Sequence, residues 1–263
     1  MTEPVQLLRV YRLPLKSGFT LIELLTVIAV VGILASMIVT TITKAKNRTH
    51  QVVCLNNIRQ QYLAQMLFVG DNVEQFPAHN DDTPSHHRSP RTVGRSFVDH
   101  LKPHYLRDYR ITICPFTSRF YGKIWPQWQN PDLLVDRVYG GWGTSADYVS
   151  TSYMWLANYP SMKFLASDGT YSSSPVDGEL PWPKTSAESD SRRAFITHRI
   201  AMDTTSKAFI DLGHSGFMAP KGWNDSKVRS QPIGHADGSV LTRMRSQILP
   251  RATGGLYNET YYY

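Results

Sequence analysis

The sequence predicts an α+β fold: a long N-terminal helix, half in a membrane and half outside it, packed on a C-terminal antiparallel β-sheet. Three observations predict it. One apolar run fills residues 19–39. Helical spacing of apolar residues continues beyond that run to about Val69. After it come short β-rich segments broken by turn formers.

Composition frames these elements. The chain has 263 residues, 41% of them hydrophobic, which bounds one or two folded units with enough apolar matter for a core. The 17 Gly and 16 Pro are near average use, against collagen-like or low-complexity sequence. Two cysteines make no disulfide scaffold and no CxxC motif. A mean hydropathy of −0.31 excludes a polytopic membrane protein.

The apolar run comes first. Its 21 residues contain one charge, Glu23. A helix of that length spans roughly 30 Å, the thickness of a bilayer core. A buried core helix of this size would show a polar stripe, and none is present. A removable secretory signal would have an apolar region of about 7–15 residues and a small-residue cleavage site. This run is longer, and Ala35-Ser36-Met37 is a poor match. A retained single-pass anchor is therefore expected. Flanking charge does not orient it, because Arg9, Arg12 and Lys16 on one side balance Lys44, Lys46 and Arg48 on the other.

The residues opening the run are more specific. The string Lys16-Ser17-Gly18-Phe19-Thr20-Leu21-Ile22-Glu23 resembles the signal of type IV prepilins and type II secretion pseudopilins. The resemblance implies cleavage by prepilin peptidase between Gly18 and Phe19, and N-methylation of Phe19. It also implies a cytoplasmic leader, a bacterial inner-membrane anchor and a periplasmic bulk, or a cell-surface one in a filament. It assigns Phe19 and Glu23 to assembly with other pilin or pseudopilin subunits and a secretion-system platform. Chemistry supports a role for Glu23 independently. A carboxylate within a membrane helix costs about 2.5–3.5 kcal/mol or more and marks a functional candidate. An amine at Phe19 would stand in the i, i+4 relation to it.

The helix is expected to continue outside the membrane. Val52, Leu55, Ile58, Tyr62, Met66 and Val69 fall three or four apart, with Arg59, Gln60, Gln61 and Gln65 assigned to the other face. Gly70-Asp71-Asn72 is a plausible stop, with Pro77 beyond. From Phe19 to about Val69 the helix would run about 75 Å. Residues 54–61, Cys-Leu-Asn-Asn-Ile-Arg-Gln-Gln, with the later Phe76-Pro77, Cys114-Pro115 and Asp237-Gly238, resemble a pseudopilin-like subfamily with a C-terminal Asp-Gly processing-associated domain. Lys227 stands where that subfamily carries a His nine residues before Asp-Gly.

From about Val73 onward, residues 110–114 and 207–212 read as strands, and 234–241 as a hairpin with Asp237-Gly238 at a type I′ turn. Polar loops are expected at 79–94, 168–191 and 213–232. The resulting organisation is a leader at 1–18, a transmembrane helix at 19–41, its continuation at 42–72, and a pilin-like α+β domain at 73–263. Cys54 and Cys114 form a candidate disulfide if the domain faces an oxidising compartment. Closing that loop would stabilise by roughly 4 kcal/mol on the chain-entropy model. Two buried thiols are the alternative.

Enzymatic chemistry is scarce. Residues 213–217 fail the G-x-S-x-G pattern at Phe217, and no P-loop, H-E-x-x-H or EF-hand loop occurs. His79, Asp81, Asp82, His86 and His87 make a weak metal cluster. Asp225 and Asp237 are candidate Ca²⁺ ligands, although Asp237 also suits a plain turn; no other cofactor is expected. Most tryptophans read as core or interface, while Tyr261-Tyr262-Tyr263 reads as an exposed contact tail. The net charge of +7 falls to about +5 without the leader's Arg9, Arg12, Lys16 and Glu3. The remaining basic residues are scattered and form no nucleic-acid module. The expected function is thus a non-enzymatic pseudopilin-like subunit of a type II secretion or type IV pilus-like filament. The alternative is a membrane-tethered binding protein for a glycan or secreted substrate that uses the same signal.

Overall fold

The computed structural model describes residues 18–77, 79, 92–94, 101, 104–121, 148–159, 163–166, 168–172, 180–203, 209–212, 217–219, 228–254 and 259–263. Helix α1 covers Leu21–Asp71. The chain divides into two compact units, Met1–Arg48 and Thr49–Tyr263. In the first, the apolar run is helical and wholly unburied: Leu21, Ile28, Val31, Ile33 and Met37 are all exposed. A core helix would bury one face, and this run buries none among the described residues. By length and composition this helix can cross a membrane.

The second unit holds the sheets. Strands β1 (Thr92–Gly94) and β2 (Tyr148–Ser150) form an antiparallel pair. A four-stranded antiparallel sheet joins β3 (Tyr153–Trp155), β6 (Ala194–His198), β10 (Ser230–His235) and β11 (Val240–Met244) in the order β11-β10-β6-β3. A seven-stranded sheet runs β5-β4-β12-β13-β7-β8-β9. Its members are β4 (Lys163–Leu165), β5 (Tyr171–Ser172), β7 (Ile200–Asp203), β8 (Phe209–Leu212), β9 (Phe217–Ala219), β12 (Pro250–Gly254) and β13 (Glu259–Tyr262). The chain passes from one sheet to the other at Arg199, between β6 and β7.

Strand alternation explains the layering. Tyr153 lies opposite His198 and Trp155 opposite Ile196 in the four-stranded sheet. Tyr153, Trp155 and Ile196 pack with Cys54 and Ile58 of α1 in one core. Met154 points the other way and packs with Ala201, Ala252 and Tyr261 of the seven-stranded sheet. The order of layers is helix, sheet, sheet. The expected α+β, pilin-like arrangement is therefore the observed one, with a second sheet behind the first.

The helix approaches the sheet closely at Gly234. A Cβ there would stand 2.7 Å from Ile58 Cγ2 and 3.0 Å from Ile196 Cγ2. The hairpin after it differs from the expected type I′ turn. Gly238 alone in the turn has a positive φ, +83°, and its amide donates to the His235 carbonyl at 3.0 Å. Ala236, Asp237 and Gly238 thus make a three-residue loop: a type I turn closed by a left-handed glycine. The Asp237 carboxylate accepts the Ser239 amide at 2.9 Å, which favours this turn over the two-residue one.

Three further expectations are corrected. Residues 110–114 are not a strand. Tyr109–Thr112 is a 3₁₀ turn capped by Asp108, and helix α2 (Pro115–Tyr121) begins at a proline, which suits a first helical position. Two carbonyls of this stretch find side-chain partners on α1, with Gln61 Nε2 donating to Ile111 O at 2.8 Å and Asn57 Nδ2 to Ile113 O at 3.4 Å, while Thr112 O accepts the Ser152 amide at 2.9 Å. The tyrosine tail is not exposed. Tyr261 pairs with Ala201 and Ala252, whose small side chains flank its ring, and Tyr261, Tyr262 and Tyr263 are all buried. The expected polar loops contain β1, β5, β9 and the start of β10. Short strands with mixed polar sequence lack the alternation that would mark them.

Candidate functional site

Two sites can be built from the residues upward. The first is the start of α1. Thr20 precedes the first helical residue, and Glu23 stands at the third helical position. Thr20 N and Oγ1 donate to Glu23 Oε2 at 2.9 and 2.7 Å, while the Glu23 amide donates to Thr20 Oγ1 at 3.3 Å. This reciprocal pair is a capping box, satisfying backbone donors that a helix start leaves open. The signal T-x-x-E was present in the sequence, and Thr20 was not singled out from it. Phe19 is exposed, and nothing lies within 4 Å of a Cβ built on Gly18.

The second site lies where α1 meets the four-stranded sheet. Cys54, Asn57, Ile58 and Gln61 recur at i, i+3, i+4 and i+7, one face of a helix, and all four are buried. Gln65 continues the row and is fully buried. The expectation that Gln61 and Gln65 face solvent is therefore wrong. Gln61 turns inward to donate to backbone carbonyls, those of Ile111 at 2.8 Å and Asn57 at 3.1 Å, because a buried carbonyl needs a donor. Among the described residues no hydrogen bond accounts for the burial of Gln65. Val52, Leu63 and Leu67, by contrast, are 63%, 57% and 61% exposed. Of the expected stripe, Ile58 and Val69 are buried, Tyr62 and Met66 are half-buried and pack against the same core, Leu55 is half-buried, and Val52 faces out.

Cys54 and Cys114 come together here as buried thiols. Their sulfurs and a ring nitrogen of His198 lie within 4.8 Å of one another. Cys54 Sγ is 3.2 Å from Tyr153 Oη, which accepts from Asn57 Nδ2 at 3.3 Å. Burial, with Cys114 beside it, pushes the Cys54 thiol well above its ordinary pKa. An unassisted thiolate nucleophile is thus disfavoured at neutral pH. His198 was not singled out in the sequence, since β6 and α1 are far apart along the chain.

The remaining candidates separate. Asp225, Asp81, Asp82, His86 and His87 lie outside the described residues. Asp237 is the turn residue; burial raises its pKa, but its hydrogen bonds to Ser239 outweigh that and lower it. His79 is buried, bonded to Ala157 O at 3.2 Å and packed on Tyr159. Burial pushes its pKa down to about 4.

Residues 14–39 match the family model of the prokaryotic N-terminal methylation motif. Searches of curated proteins and of solved structures found no match. The chain therefore carries a prepilin-type signal, of the kind borne by type IV pilin-like and pseudopilin-type subunits. Such a motif implies processing by prepilin peptidase and assembly with other pilin-type subunits, and with the apolar helix it fits a single-pass inner-membrane anchor.

Proposed function

We propose that this chain is a structural, non-enzymatic pseudopilin-like subunit of a type II secretion or type IV pilus-like filament. It is cleaved between Gly18 and Phe19, methylated at the Phe19 amine, and held in the inner membrane by the apolar half of α1. Its second unit lies on the periplasmic side. The observation that carries the reading is the methylation motif at residues 14–39, overlapping the N-terminal apolar run of α1, which is wholly unburied. Such a surface needs lipid or neighbouring helices to cover it.

Glu23 has two tasks in this reading. Its Oε2 closes the capping box with Thr20. The carboxylate also offsets the charge of a methylated amine, which methylation retains, in its own or a neighbouring subunit. The capping box lies entirely within the processed chain, so it survives cleavage.

The test is the N-terminal mass of the protein extracted from membranes. The expected product starts at Phe19 and carries one added methyl group. An intact Met1, or a start after Ser36, overturns the reading. Glu23→Ala should then abolish incorporation into filaments while leaving cleavage unaffected. Retained function in that variant, with loss on changing surface loops, would support a tethered binding protein instead.

A further inference from the structure

We propose that Cys54, Cys114 and His198 form a buried binding site for one zinc ion, which joins α1 to the sheet and to the start of α2. Each ligand comes from a different element: Cys54 from α1, Cys114 from the residue before α2, His198 from the end of β6. All three side chains are essentially inaccessible, at 0%, 0% and 1% exposure. Their ligand atoms already lie within 4.8 Å of one another. Around tetrahedral zinc, with Zn–S about 2.3 Å and Zn–N about 2.0 Å, ligand atoms stand about 3.3–3.8 Å apart. The site needs only a small contraction.

The surroundings suit a metal. His198 Nδ1 lies 3.3 Å from the Arg199 carbonyl oxygen. A proton on Nδ1 directed there puts the lone pair on Nε2, beside Thr117 Oγ1 at 3.4 Å. The Cys114 amide donates to Ser152 Oγ at 2.8 Å, which fixes the backbone carrying the second thiol. Tyr153 Oη, 3.2 Å from Cys54 Sγ, is one oxygen available for a fourth position.

Charge favours a divalent thiophilic ion, and a closed site of Cys and His ligands suits zinc. Two thiols lose their protons to solvent and one Zn²⁺ takes their place, so the buried group is neutral before and after. A monovalent soft cation would leave a net negative charge inside the core, which is costly. Soft thiolates with imidazole disfavour calcium and magnesium. A disulfide between Cys54 and Cys114 is the competing outcome, because it consumes both sulfurs. It leaves unexplained why a histidine nitrogen converges on the same point.

The test uses the full chain, purified from membranes in detergent without chelator or added reductant. Zinc is measured by elemental analysis, and thiols by alkylation after denaturation. The expected result is one zinc per chain with both cysteines alkylated. Replacement by Co²⁺ should give a thiolate-to-cobalt charge-transfer band. His198→Gln keeps both cysteines and should lower zinc content at least about tenfold. The wild-type cobalt spectrum decides the matter should that variant fail to fold. Three results overturn the proposal: a Cys54–Cys114 disulfide in the mass spectrum, negligible zinc with both thiols free, or unchanged zinc in a folded His198→Gln.

Discussion

The two halves of α1 invert the usual relation between polarity and burial. Between Leu21 and Val39 the helix is almost entirely apolar, and none of it is buried. Between Thr49 and Asp71 the buried face includes Asn57, Gln61 and Gln65, while Val52, Leu63 and Leu67 are exposed. Although Cys54, Ile58, Ala64 and Val69 are buried on it, hydrophobicity alone therefore does not assign the inner face of this helix. What lies opposite does. The first half needs an apolar surrounding that the described residues do not supply. The second half meets a backbone segment, residues 109–114, whose carbonyls need donors.

Matched substitutions in the two halves give the largest contrast. Ile58 is fully buried against Ile196 and Gly234, and Ile58→Ala should cost about 2–5 kcal/mol. Ile28, 57% exposed, should leave the unfolding midpoint of the second unit unchanged when replaced by Ala. Denaturant titration of the detergent-solubilised chain reads both. Equal effects would mean that the halves do not differ as described.

A second effect, nearly as large, comes from a polar group buried without charge. Burial holds the pKa of His79 down to about 4 against an ordinary 6.5, although the Ala157 carbonyl favours its protonated form. Between those values the unfolded chain binds a proton that the folded chain refuses. Stability is therefore full above pH 6.5 and falls as pH drops toward 4, by roughly 3 kcal/mol. His235, also lowered by burial, acts in the same direction, so His79→Gln should reduce the slope without removing it. Unfolding midpoints at several pH values check this; an unchanged slope in the variant would contradict it.

The smallest contrast is between adjacent amides. Gln61→Leu leaves the Ile111 carbonyl without its donor and should cost about 1–3 kcal/mol. Gln60→Leu, on the exposed face, should stay within about 0.5 kcal/mol. If Gln61→Leu proves stabilising, the inward amides are not what pins α1 to residues 109–114.

Much of this was legible in the sequence, and the gaps have physical causes. The helix was readable because an unbroken apolar run and the absence of proline from Pro14 to Pro77 leave little else possible. The hairpin at 234–241 was readable from Asp-Gly, though not its turn type, since one side-chain bond to Ser239 decides between loops. The stretch 110–114 resembled a strand because Ile-Thr-Ile suits both a strand and a buried turn. The terminal tyrosines looked exposed because position at a chain end says nothing about strand pairing. Cys54 and Cys114 were a candidate disulfide with two buried thiols as the alternative, and the structure brings them together as buried thiols. His198 was invisible, because only the register of β3 against β6 sets it opposite Tyr153.

By itself, then, the sequence determined the class of N-terminal segment, the length of the helix and the α+β character of the rest. These depend on local order: hydrophobic runs, proline placement and short-range turn chemistry. Tertiary structure alone decided which face of α1 turns inward, which tyrosines are core, and which side chains meet Cys54. These depend on what the chain brings together across 50 to 150 positions, where a carbonyl lacking a donor can outrank a leucine lacking cover.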